Sequence, residues 1–127
     1  MSAIANGWWL AAAFFSLVTA LAHIFVGGRQ IAAPLLAART LHPIVRYTHY
    51  YCWHLVTIVL LALVLAFAGA GAGRLAGDLA IAATVFAVLA TVWSLALVTM
   101  MGMSFRLMPQ WALFVPVALC GLAGWAL

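Results

Sequence analysis

Four stretches of this chain, residues 7–27, 47–68, 79–101 and 108–127, contain no Asp, Glu, Lys or Arg. Each has the roughly 20 mostly apolar residues that an α-helix needs to cross the hydrocarbon of a bilayer. Inside lipid no water can satisfy a backbone N–H or C=O, so such segments must be helices that close their own hydrogen bonds. In a chain of 127 residues four spans leave no room for a soluble domain. The expected fold is an all-α integral membrane protein with one domain, 1–127: a four-transmembrane-helix bundle with short connections and one longer one at about 29–46. Ala20-Leu21-Ala22 has the small-residue pattern of a signal-peptidase site. No basic residue precedes Trp8, however, and the apolar run continues to Gly27, so this segment is expected to stay as a span.

Only 5% of residues are charged, and all five basic ones are arginine. Nucleic-acid binding needs a clustered basic face, whereas these arginines are scattered between apolar spans, so no nucleic-acid partner is expected. Their distribution speaks to topology instead. Arg29, Arg39, Arg46 and Arg106 fall in the first and third connections, and Arg74 stands beside Asp78 in the second. The positive-inside rule places the first and third connections in the cytoplasm and both termini on the other side, as in a bacterial inner membrane.

Trp8 and Trp9 suit a headgroup boundary, and Gly27-Gly28-Arg29 is expected to end the first span. The apolar part of the following connection, residues 31–38, is expected to form a short interfacial helix. Asp78 is expected to cap the third helix, and Pro116 to kink the fourth. Small residues recur in steps of three and four as Ala13, Ser16, Ala20, His23 and Gly27, and as Ala80, Ala83, Ala87, Ala90 and Ser94. Such seams let helix backbones approach closely in lipid. One face of the first span therefore meets protein, and His23 lies on it.

The four histidines, His23, His42, His49 and His54, all lie toward the cytoplasmic end. An ionisable side chain at membrane depth normally faces the bundle or a wet cavity. At 100° per residue His49 and His54 are about 140° apart and cannot share a face. Tyr50, His54 and Thr57 form the deeper polar stripe, so His54 is expected to point inward with His23.

Two inward imidazoles on adjacent helices are expected to ligate a b-type haem or a transition metal, copper or zinc. Arg46 or Arg29 would pair with haem propionates, and Tyr50 with its neighbouring aromatics would wall a flat cofactor or quinone. Met100, Met101, Met103 and Met108 lie at the same end, with Cys52 near. Met100 and Met103, with His42 and His49, are therefore secondary metal candidates, although methionine is also an ordinary apolar filler and the two histidines would also suit the headgroup layer.

The chain has no glutamate, one aspartate at the far end, and no HExxH, phosphate-loop, GxSxG or CxxC motif. Carboxylate-dependent catalysis is thus poorly served, and an enzyme is not the expectation. Electron transfer or cofactor handling is the leading expectation. The alternative is a non-catalytic accessory or scaffold subunit, with the lipid bilayer and a larger membrane complex or homo-oligomer as partners. A third reading is a small transporter or lipid-binding protein using the region of Arg46 and His54.

Overall fold

Asn6 begins the first helix. Its Oδ1 accepts hydrogen bonds from the backbone N–H groups of Trp8 and Trp9 at 3.1 and 3.2 Å, satisfying donors that a helix start leaves unpaired. The structure is a computed structural model and describes residues 5–127. Helix α1 runs Gly7–Ala37, α2 Pro43–Gly71, α3 Gly77–Met100 and α4 Gln110–Ala126.

These helices contain 31, 29, 24 and 17 residues. At about 1.5 Å per residue, the first three exceed the ~30 Å of bilayer hydrocarbon, and the apolar α4 measures roughly 26 Å. The chain is thus a helical bundle in which three helices are long and apolar enough to cross a membrane, packed with a shorter apolar fourth. Phe14, Phe25, Leu65 and Trp93 are each at least 60% exposed, a surface that suits lipid and would promote aggregation in water.

The longer connection expected at 29–46 is corrected by the structure. Gly27-Gly28 does not end the first helix, which continues through a π-helical stretch, Ala22–Ala32, into a last α-helical turn, Ala33–Ala37. Hydrogen bonding from residue i to i+5 widens this stretch. Pro34 follows it at once, where partners change from i−5 to i−4 and a missing N–H costs least. Residues 38–42 alone join α1 to α2, with no separate interfacial helix. His42 caps α2 by accepting from the Ile44 N–H through Nδ1 at 3.3 Å, and Pro43 takes the first helical position, where its fixed φ is preorganised.

Helix α3 begins one residue before Asp78, so this acid occupies the first turn rather than the cap. There it faces the positive end of the helix dipole. Gly102, at φ 61°, ends α3 with bonds from its own N–H to the Thr99 carbonyl and from Met103 N–H to the Val98 carbonyl. This is the left-handed C-terminal cap that glycine adopts without a Cβ penalty.

Neighbours in sequence are neighbours in space, and α4 closes the ring against α1. Both seams of small residues face inward: Ala13, Ser16 and Ala20 are buried on α1, and Ala80, Ala83 and Ala87 on α3. Because lipid tails are as apolar as the side chains, close packing and interhelical hydrogen bonds hold such helices together. The single hydroxyl hydrogen of Thr19, for instance, is shared between Phe15 O of its own helix (2.9 Å from Oγ1) and Leu113 O in α4 (3.2 Å). That bond fixes the vertical offset of the helices: α4 begins three residues before Leu113, almost level with His23. Beyond this level α1 and α2 continue as a pair without α4 beside them.

Candidate functional site

His23 is the residue where the π-helical stretch of α1 meets α2. Its ring stacks on Trp53 with centroids 3.9 Å apart and planes 19° from parallel. Its Nε2 lies 3.0 Å from Thr57 Oγ1 and 3.3 Å from the Trp53 carbonyl. Thr57 Oγ1 itself donates to that carbonyl at 3.3 Å. A carbonyl only accepts, so the tautomer with the proton on Nε2 is the one that makes the 3.3 Å contact to the Trp53 carbonyl favourable as well as the 3.0 Å contact to Thr57, and it leaves Nδ1 as the unprotonated nitrogen. Nε2 is thus engaged with α2, and Nδ1 is the ring nitrogen left with a free lone pair.

Gly27 lets the two helices meet here. A Cβ at this position would lie 2.5 Å from Trp53 Cη2, so only glycine leaves room for the indole. Gly27 does not end the helix; it serves as a close-contact point, as its place on the small-residue seam implies.

A groove of about 380 Å³ opens between α1 and α2 next to this stack. Ile24, Gly28, Ala32, Ala33 and Leu36 of α1 line one side, and Tyr50, Trp53, His54 and Thr57 of α2 the other. Tyr50 and His54 meet edge to face, with centroids 4.5 Å apart at 86°. Contrary to the inward position expected for it, His54 is exposed at this groove, and the half-buried Trp53 takes the inward place. Among the described residues the groove is lined by α1 and α2 alone.

Arg46 lies two turns before His54 on α2, roughly 12 Å along the axis. Its guanidinium packs 4.9 Å from the Tyr47 ring centroid, and Nη2 lies 3.5 Å from the Tyr47 hydroxyl. The Nε of Arg46 is buried without a hydrogen-bond partner, an uncompensated polar atom of the kind that is costly to leave unmet.

The secondary candidates do not join this site. His42 is spent on the cap of α2, and His49 donates through Nδ1 to the Val45 carbonyl at 2.7 Å. Met100 and Met103 lie at the end of α3 and in the connection after it, 74% and 42% exposed. Among the described residues, no three or more His, Cys, Asp or Glu side chains gather where they would hold a metal ion. Trp53, the residue that organises the site, stands in the sequence as one of several aromatics around Tyr50 that would equally wall a flat cofactor or form an interfacial belt, and nothing there singles it out.

Comparison of the chain with family models, with curated proteins and with solved structures gives no match.

Proposed function

We propose that this chain is a four-span bundle of a bacterial inner membrane that holds a b-type haem in the groove between α1 and α2, for electron transfer or haem handling. His54 would be an axial ligand, Tyr50 and Trp53 would wall the ring, and Arg46 would pair with a propionate. The observation that carries this reading is an exposed imidazole in an aromatic-walled groove, with an unsatisfied guanidinium nitrogen two turns away.

Coordination chemistry favours haem over a bare ion. Zinc or copper sites draw three or four ligands from the protein, whereas a porphyrin supplies four nitrogens and needs only one or two axial side chains. The ~12 Å from Arg46 to His54 along α2 is comparable to the reach from a porphyrin centre through its propionates to a guanidinium. Planar forking of guanidinium onto carboxylate would satisfy the orphaned nitrogen. His23 would become a second ligand through Nδ1, or through Nε2 once that nitrogen leaves Thr57.

The arginine count supports an orientation with both termini outside the cytoplasm. Under this reading α4 crosses as well, since a span slightly shorter than the hydrocarbon is accommodated by local thinning or by its flanking residues.

Optical spectra of protein purified in mild detergent, oxidised and dithionite-reduced, with iron analysis, test the proposal. Expected are a sharp reduced spectrum with stoichiometric iron, and its loss in His54→Ala protein that remains folded. Full haem occupancy in His54→Ala would remove His54 from the site, and a spectrum without haem that haemin cannot restore would remove haem altogether. The open flank where α1 and α2 outrun α4 favours a second reading, an accessory subunit whose partner helix packs there. Co-purification with a larger protein after mild solubilisation would support that reading, and a stable lone monomer would count against it.

A further inference from the structure

The groove owes its α1 wall to the winding of the π-helical stretch. In an α-helix, nine residues at about 100° each would carry Ala33 to the face opposite Ile24. With i→i+5 bonds roughly 4.4 residues fill a turn, and the same nine residues return Ala33 to within about 20° of Ile24. Both residues line the groove. Ile31 behaves in the converse way: seven residues past Ile24, it would share that face in an α-helix to within about 20°. The π winding carries it away, and it is 47% exposed and absent from the groove wall. At Gly28 a Cβ would meet nothing within 4 Å, so its missing side chain leaves open groove, unlike that of Gly27.

We infer that the π winding of α1 determines which ligand the groove accepts. It sets Gly28, Ala32 and Ala33 as a flat floor opposite Trp53 and His54, and turns Ile31 outward, so that a planar ring system can lie against α1. The ligand class rests on the haem reading above; the floor rests on the geometry of α1 alone. Bulk added to the floor blocks the ring, and bulk added at Ile31 does not, which is the reverse of what α winding would give.

The test is titration of haemin into detergent-purified protein, followed by absorbance, for the wild type, Gly28→Leu, Ala33→Leu and Ile31→Phe. Affinity is expected to fall by at least about tenfold in the two leucine variants, as overfilling a packed contact does, and to stay within about twofold in Ile31→Phe. Ala33→Leu adds bulk to an exposed residue, so it keeps the test open if Gly28→Leu fails to fold. Unchanged affinity in Ala33→Leu, or a loss confined to Ile31→Phe, overturns the inference while leaving the haem reading standing.

If the wild type binds no haemin, the haem reading falls and the floor is tested separately by bromine-labelled lipid chains. These chains enter the groove and quench Trp53, whose share of the fluorescence is defined by difference from Trp53→Phe. Less quenching in Ala33→Leu but not in Ile31→Phe supports the floor, and equal quenching in all three proteins overturns it.

Discussion

His23 Nε2 is hydrogen-bonded to Thr57 Oγ1, which in turn bonds the Trp53 carbonyl, so one short chain of bonds locks the indole that walls the groove. Thr57→Val keeps the shape and removes the acceptor. It is expected to cost less than about 1 kcal/mol in thermal or denaturant unfolding in detergent, since interhelical bonds in lipid average somewhat below that and the Trp53 carbonyl, 3.3 Å from His23 Nε2, remains as an acceptor. Trp53 emission should shift as well, because the stacked imidazole loses its Thr57 anchor. An unchanged emission would mean that stacking alone holds the indole. His23→Ala should perturb Trp53 more strongly than Thr57→Val, because it removes the 3.9 Å stack as well as the bond.

Helix α4 approaches α3 closely because Gly121 has no side chain: a Cβ there would lie 2.5 Å from Thr84 Oγ1. Thr84 is fully buried and its hydroxyl is bonded to the Ala80 carbonyl at 2.7 Å, so it cannot move aside without breaking that bond. Gly121→Val is expected to cost about 1–3 kcal/mol by overpacking, measured by thermal unfolding in detergent. Leu122→Val, at an exposed neighbour, should change little. A tolerant Gly121→Val would show that α3 and α4 slide freely past each other.

Three chain segments meet at one residue at the end of the bundle that carries the α2–α3 turn. Asn6 caps α1, its backbone N–H donates to Gly71 O at the end of α2 (2.8 Å), and its Nδ2 donates to Gly124 O in α4 (2.8 Å). Asn6→Ala is therefore expected to cost more than an ordinary cap, whose loss takes about 1 kcal/mol. Differential scanning in detergent would show it as a lowered Tm, and a change no larger than that of a surface substitution would rule out the clamp. This junction also places the start of α1 and the end of α4 at the same end of the molecule. A reporter fused at the C-terminus should accordingly read the non-cytoplasmic side, and arginines added to the connection between α2 and α3, residues 72–76, should invert it.

The absence of charge from four twenty-residue stretches was enough to give a helical membrane bundle, because a backbone in lipid has no alternative way to satisfy its hydrogen bonds. The inward seams were equally legible, since small residues in steps of three and four fall on one face of any regular helix. The extent of α1 was not. Gly27-Gly28 is an ordinary stop signal in isolation; Gly27 also lies on the small-residue seam, and the Trp53 indole packed against it shows that the contact role prevails over the stop. The site was half legible: the histidines' end of the bundle followed from their numbers, but their directions followed from winding. A period of 3.6 assigns faces only where the helix keeps it, and the change to i→i+5 bonding turns Ala33 toward the groove and Ile31 away from it. On α2 it was packing against His23 that drew Trp53 inward and left His54 exposed at the groove, a choice between adjacent residues that helical periodicity alone cannot make.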